Sequence, residues 1–309
     1  MAAAPAPPVT DLDGLAERCR WPVPPGGTAT AAVSGGPDSL ALLVLARRAG
    51  LDVLAVHVDH GLRPGSAAEA DHVAAAARRL GARFEARRAS VTPGPNLESR
   101  ARAARYAVLP PGVMVGHTAD DRAETLLLNL LRGAGLDGLS PMRPSPRLSR
   151  PLLALRRRET AAVCAAAGLE PLHDPSNDDL ALRRNAVRHR LLPLLAEVAG
   201  RDPVPILCRQ ADLLGDDADL LEGWAAELDP TDARALRAAP RALARRAVRQ
   251  WLRGVDEEGH PPDSATVERV LEVATLGALG CEVGGGRRVR RSAGRLRIEG
   301  TSGPTLRQK

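Results

Sequence analysis

Ser34-Gly35-Gly36-Pro37-Asp38-Ser39 sets two hydroxyls, two glycines and one carboxylate between an apolar strand-like run (28–33) and a helical run (40–48). A glycine-rich turn between strand and helix lets backbone N–H groups and the positive helix end converge on an anion. Gly35 and Gly36 allow the positive φ and close backbone approach that such a cradle needs. Ser34 and Ser39 add hydroxyl donors, and Asp38 can reach a bound Mg2+. The stretch therefore reads as a nucleotide-phosphate site, with an ordinary tight turn as the bland alternative. A Walker A loop is excluded, because it ends in Gly-Lys-Ser/Thr and the only lysine here is Lys309.

A second group of residues suits proton transfer. His117 and Asp121 lie four apart at a helix start, hence on one face. A carboxylate beside an imidazole fixes its tautomer and raises its basicity, which suits a general base. Asp120 and Glu124 cluster with them, as titratable groups do at functional sites. A lone histidine at a strand end would otherwise be a structural group. Arg105 can neutralise a transferred phosphate through charge-assisted bonds, or be a surface helix arginine. Arg184, Asn185 and Arg188 are read as anchors for substrate phosphates, whereas Asp174, Ser176 and Asn177 shape a loop. Glu98 and Arg102 form an i, i+4 pair. Arg287, Arg288, Arg290 and Arg291 form the densest basic run, either a solvated face or a contact for a polyanion.

These residues need a scaffold that brings them together. Residues 51–58 are an apolar run ending in Asp59-His60-Gly61-Leu62-Arg63, and read as a buried parallel strand. Ser66 and Glu69 resemble a capping box for a helix to residue 80. A third strand falls near 83–89. Asn96 caps a helix that carries Arg105 and Tyr106, and a fourth strand at 113–116 runs into His117 and a helix at 122–131. Strands alternating with helices predict an α/β fold with a doubly wound parallel sheet, whose ligands sit at the carboxyl ends of the strands. The Ser34–Ser39 turn, the Asp59 segment and the His117 segment all fall at such ends, so one active site is expected there. Residues 132–150 are Gly/Pro-rich and read as a loop over the site. A helix follows at 156–167, then an irregular stretch at 173–178 and a helix with Arg183 to Arg190. Beyond about 202 the pattern is helical, with breaks at Asp229-Pro230 and 258–262, and closes in a small β-hairpin at 278–299. The expected partition is a flexible leader and first helix (1–24), a catalytic ATP-binding domain (25–200), and a smaller helical domain with the terminal hairpin (201–309).

Ser-Gly-Gly-x-Asp-Ser at a strand-to-helix turn resembles the PP-loop of the ATP pyrophosphatases. The other motifs resemble the tRNA(Ile)-lysidine synthase family: Val-Asp-His-Gly-Leu-Arg (58–63), Asn-Leu-Glu (96–98), Ala-Arg-x-x-Arg-Tyr (101–106) and Gly-His-Thr-Ala-Asp-Asp-x-Ala-Glu-Thr (116–125). They continue as Arg-Gly-x-Gly-Leu-x-Gly-Leu (132–139), Arg-Pro-Leu-Leu (150–153), Asp-x-Ser-Asn (174–177) and Arg-Asn-x-x-Arg (184–188). They run in family order over 28–193. The link from Tyr106 to Gly116 is shorter than the family pattern, and the C-terminal part is too short for both appended domains of longer members. The resemblance implies that ATP adenylates the C2 oxygen of the wobble cytidine in CAU-anticodon tRNA(Ile). The ε-amine of free L-lysine then displaces AMP. It implies ATP and Mg2+ as cofactors, with Asp38 as metal contact and Asp38, Arg105, His117 and Asp121 as catalytic residues. Asp121 and Glu124 become candidates to hold lysine, with Arg184, Asn185 and Arg188 for lysine or tRNA.

The bulk properties of the 309 residues agree. Net charge is +6 and pI about 10.0, with almost all cations arginine, whose fork suits phosphate. Cys19, Cys164, Cys208 and Cys281 are far apart without a CxxC pair, and read as buried residues in a reducing compartment. Residues 1–8 lack the features of a signal peptide, and no apolar run has the length of a membrane span. The expected location is the cytoplasm, and a homodimer is possible. Two rival readings are a PP-loop tRNA thiolase, disfavoured by the unpaired cysteines, and a non-catalytic basic RNA-binding protein. The latter explains the charge but not the convergence of Asp38, His117 and Asp121. A small-molecule synthetase of the same superfamily would need a partner domain that the length hardly allows.

Overall fold

A computed structural model describes residues 11–59, 66–90, 97–256 and 262–300. It divides into two compact units, Met1–Asp212 and Leu213–Lys309.

The first unit is built on a sheet whose inner strands are apolar and small. After α1 (Leu12–Glu17) come β1 (Thr28–Ala32), α2 (Pro37–Arg48), β2 (Asp52–Asp59), α3 (Ser66–Arg79), β3 (Arg83–Arg88) and α4 (Leu97–Ala107). Then follow β4 (Val113–Met114), α5 (Ala119–Leu131), α6 (Leu136–Leu139) and β5 (Leu148–Ser149). All five strands are parallel in the order β3-β2-β1-β4-β5, with Thr28 opposite Asp52 and Ala32 opposite Val56. Because β1 is central, Ala29, Ala31 and Val33 are buried. The small side chains of β1 leave room for α2, where every residue from Ser39 to Ala46 is buried. A helix apolar on all sides needs cover on all sides, and α1 and α7 (Arg157–Ala166) supply it.

The Gly/Pro-rich stretch 132–150 holds more structure than expected. It contains α6 and the edge strand β5, which pairs Leu148 with Val113 and Ser149 with Met114. Two residues between Pro146 and Pro151 are too short to show a period, and their pairing is non-local. A helical path then runs through α8 (Arg183–Ala186), a π-helical turn at Val187–Leu191 and α9 (Leu192–Ala199). α10 (Val204–Ala226) lays Val204, Leu207, Cys208 and Ala211 against α5.

In the second unit α11 (Ala233–Ala238), α12 (Arg241–Gly254) and α13 (Ser264–Ala274) enclose a core of Leu236, Val248, Leu252, Val267, Val270 and Val273. The terminal hairpin is instead a three-stranded antiparallel sheet, β6 (Gly280–Gly284), β7 (Arg287–Ser292) and β8 (Arg295–Gly300). Val289 of the middle strand faces Cys281 and Ile298 across its two neighbours. Gly284, Gly285 and Gly286 all have positive φ at the first turn, and Ala293-Gly294 make the second with φ of 49° and 78°. Among the described residues no helix is long and apolar enough to cross a membrane.

Candidate active site

The Ser34–Ser39 turn is closed by its own side chains. Ser39 Oγ accepts from the Ser34 backbone N–H at 3.1 Å, lies 3.2 Å from Ser34 Oγ, and donates to the Gly36 carbonyl at 2.9 Å. Gly36 is the N-cap of α2 and has no side chain to satisfy the first N–H groups, which leaves them to an anion. Gly35 has φ +84°, and a Cβ there would lie 2.7 Å from Leu172. Ser34, Gly36, Pro37, Asp38 and Ser39 line a cavity of ≈ 380 Å³.

Asp38, in the first turn of α2, accepts from the Thr160 hydroxyl and stands 3.6 Å from the guanidinium of Arg157. Burial pushes its carboxyl above the usual range and nearby Asp121 adds to this, against the lowering pull of Thr160 and Arg157.

The start of α5 forms the opposite wall. Thr118 caps the helix, accepting from Asp121 N, while Asp121 Oδ2 accepts from Thr118 N at 2.8 Å and Thr118 Oγ1 at 3.0 Å. Asp121 Oδ1 accepts from Arg157 and Arg184, both at 2.9 Å. Burial works to raise this carboxyl, but the two guanidiniums and the Thr118 N–H outweigh it and hold the group below its ordinary value. Both Asp121 oxygens are therefore taken by the cap and the arginines. His117, four residues before it, adds its own electrostatic pull on the same carboxyl, so the expected neighbours do act on one another while the cap and the arginines hold the Asp121 oxygens. His117 itself lines the cavity with Asp121, Arg105 and Tyr106.

Glu124 is fully buried and lies outside the cavity lining. Three guanidiniums cover it: Arg157 at 2.9 Å, Arg184 at 2.8 Å and Arg188 at 2.8 Å. Arg184 and Arg188, expected to meet phosphate, thus neutralise Asp121 and Glu124, and Arg188 alone of the two lines the cavity. Asn185 departs further from expectation. It is buried, and its amide donates to the Ser176 and Asp179 carbonyls at 2.8 and 2.9 Å, holding the loop that brings Asn177 to the cavity. Asp174 caps the short turn at Pro175–Asp178 through Ser176 N. Asp120 is clamped by Arg156 at 2.9 and 3.0 Å and by the Arg157 N–H.

Sequence reasoning missed Arg157 and Thr160. Both sit one turn apart on α7, whose Arg156-Arg157-Arg158 run looks like a solvated face. Three consecutive arginines beside an apolar helix that must pack on α2 were the available signal.

His60, Gly61, Leu62, Arg63 and Asn96 lie outside the described residues, as do the side chains of Ser66, Glu98 and Arg102. The basic run of the second unit separates by strand alternation. Arg287 turns inward to the Val255 carbonyl and Asp256, and Arg291 to the Ala274 carbonyl, while Arg288 and Arg290 are exposed. Cys19 and Cys164 are buried in the sheet core, Cys208 packs beside α5, and Cys281 against the second core. Burial raises the Cys19 thiol to about 12 and those of Cys164 and Cys208 to about 11.

Residues 24–195 match the model of the PP-loop domain, and 232–297 that of the TilS substrate binding domain. The tRNA(Ile)-lysidine synthase of Thermobifida fusca is 39% identical, covering 95% of this chain and 98% of the relative. That of Corynebacterium glutamicum is 40% identical (86% and 88%), and that of Nocardia farcinica 42% (82% and 85%). A U34-tRNA thiolase of Methanococcus maripaludis, solved with its 4Fe-4S cluster, superposes with a TM-score of 0.54 over 67% of this chain and 80% of that one. At 16% identity this likeness concerns the fold. Relatives so similar over nearly their whole lengths place the chain in the tRNA(Ile)-lysidine synthase family, with a PP-loop domain as its catalytic scaffold.

Proposed function

We propose that this chain uses ATP to ligate free L-lysine to C2 of the wobble cytidine in CAU-anticodon tRNA(Ile), giving lysidine, AMP and pyrophosphate. One observation carries the reading: a single cavity joins the Ser34–Ser39 phosphate cradle to His117, Asp121, Arg157 and Arg188. In the first step the cytosine O2 attacks the α-phosphorus, and the bond to the β-phosphate oxygen breaks. In the second, the lysine ε-amine attacks C2 and the C2–O bond breaks, releasing AMP.

The N–H groups at the start of α2, with Ser34 and Ser39, hold the phosphates. Arg105 meets the transferred phosphate from α4. Asp38 fits one Mg2+ ion, which bound with ATP supplies charge neutralisation. Asp38 lines the cavity, and Mg2+ sites commonly take one or two carboxylates plus phosphates. The ε-amine is mostly protonated at neutral pH and must lose a proton before it attacks; His117, in the cavity wall, is the base within reach. Asp38, Asp121 and Glu124 balance Arg157, Arg184 and Arg188. A cluster so balanced suits the zwitterionic head of a free amino acid, with ammonium to carboxylate and carboxylate to guanidinium.

The second unit, with its substrate-binding-domain match, takes the tRNA on basic surface. The thiols, all shifted towards the neutral form by burial, suit a reducing cytoplasm and no sulfur transfer. The decisive measurement is pyrophosphate release from ATP, with and without CAU-anticodon tRNA and lysine. Release that needs tRNA, with lysine incorporated into RNA, supports the reading; sulfur incorporation, or no release, overturns it.

A further inference from the structure

The guanidinium of Arg157 stands between the PP-loop carboxylate and the two carboxylates of α5. It is 3.6 Å from Asp38 on the phosphate side and 2.9 Å from both Asp121 Oδ1 and Glu124 Oε1 on the other. Among the three arginines of the cluster it is the one ion-paired to Asp38. Its backbone is anchored, since Arg157 N donates to Asp120 at 2.8 Å and its carbonyl accepts from Thr160 at 2.8 Å. The same Thr160 hydroxyl also reaches Asp38, and its one hydrogen serves only one of these acceptors at a time. α7 therefore ties the PP-loop carboxylate to the carboxylate pair on α5 through both a side chain and a backbone group.

We propose that Arg157 is a positioning residue that couples nucleotide binding to amino-acid binding; the proposal rests on the lysine reading above. A phosphate group on the PP-loop side competes with Asp121 and Glu124 for this guanidinium, and charge-assisted bonds to phosphate are strong and bidentate. When Arg157 turns to phosphate, Asp121 Oδ1 and Glu124 Oε1 each lose one donor and keep one, from Arg184 and Arg188 respectively. Of the two, Asp121 lines the cavity, and its freed Oδ1 takes the ammonium of lysine, while Glu124 behind it keeps the charge of Arg184 and Arg188 in place. Arg157 thus guards the amine site until nucleotide is present, which makes nucleotide-first addition the favoured path. Arg188 also lines the cavity and acts on Asp38 through its charge, but of the three only Arg157 stands within ion-pair distance of Asp38 as well as of Asp121 and Glu124.

The test is calorimetric binding of L-lysine to the full chain, with and without a non-hydrolysable α,β-methylene ATP analogue. Parent protein should bind lysine about tenfold more tightly with the analogue, and lysine should tighten the analogue by the same factor, as linkage requires. Arg157→Gln should bind lysine equally in both conditions, and more tightly than the parent does without analogue. Arg157→Lys keeps a charge but not the fork, and should lose most of the factor. Thermal melts confirm folding, and if Arg157→Gln fails to fold, Arg157→Lys carries the test. Equal lysine affinity in the parent with and without analogue overturns the proposal, as does a full factor in a folded Arg157 variant. If the analogue binds and lysine does not under any condition, the lysine reading itself falls.

Discussion

Gly116 lies against the backbone of Asp38: a Cβ at Gly116 would stand 2.6 Å from the Asp38 carbonyl oxygen and 2.8 Å from its carbon. This approach brings the end of β4 onto the first turn of α2, and so sets His117 and Asp121 opposite the phosphate cradle. Gly116→Ala should force the two segments apart at an overpacking cost of about 1–3 kcal/mol. The expected result is a lower melting temperature together with lost lysidine formation. A normal melt with normal turnover would show that the approach is not needed.

Asp38→Asn should abolish tRNA-dependent pyrophosphate release while raising the melting temperature at neutral pH. The sign follows from burial. Asp38 has its folded-state pKa raised, so its ionised form costs stability at pH values above that pKa. The folded protein binds the extra proton as pH falls from there towards the ordinary 3.8, and the cost disappears. The gain in the variant should shrink over that window. Stability exchanged for activity at one carboxylate is the expected pattern of a functional site. Retained pyrophosphate release would remove Asp38 from the chemistry.

His117→Ala and Asp121→Asn should both lose lysidine formation by roughly two to four orders of magnitude, the usual scale for a positioned acid–base group. Their stabilities should differ. Asp121→Asn leaves Arg157 and Arg184 short of a buried partner, a loss of about 3 kcal/mol, whereas His117→Ala should melt close to the parent. Since the Asp121 pKa is lowered on folding, its contribution is full above 3.8 and is lost as pH falls through its folded value. Parent and variant melts should therefore converge in acid. Variants with turnover within a few-fold of the parent would discard the base assignment.

The positions legible in the sequence were those where backbone geometry dictates residue type. Gly35, Gly36 and Pro37 mark a strand-to-helix turn because few other residues fit it, and the β1–β4 alternation follows from apolar runs of strand length. β5 was hidden because two residues carry no period. The partners of Glu124 were hidden for another reason: Arg157, Arg184 and Arg188 lie 33, 60 and 64 residues away, and charge alone does not show which arginines fold inward. The same limit merged Arg287 and Arg291 with Arg288 and Arg290, although strand alternation sends the two pairs to opposite faces.

That alternation narrows the proposed RNA surface. Arg288 and Arg290 share the exposed face of β7, and Arg290 stands directly opposite exposed Arg297 on β8. Their carboxylate neighbours are loose and exposed, Glu299 at 3.8 Å from Arg290 and Glu282 at 3.9 Å from Arg288, so the guanidiniums stay open to phosphate. Arg288, Arg290 and Arg297 replaced together by Gln should weaken tRNA binding and flatten the plot of log K against log salt by roughly 0.7 to 0.9 for each lost phosphate contact. Arg287→Gln and Arg291→Gln should instead lower the melting temperature, because they break bonds to Asp256, to the Val255 carbonyl and to the Ala274 carbonyl. The rival surface is the exposed pair Arg183 and Arg190 in the first unit, since Arg184 and Arg188 are committed to Asp121 and Glu124. An unchanged salt slope in the triple variant, with a flattened slope in Arg183→Gln/Arg190→Gln, would move the tRNA contact to that pair.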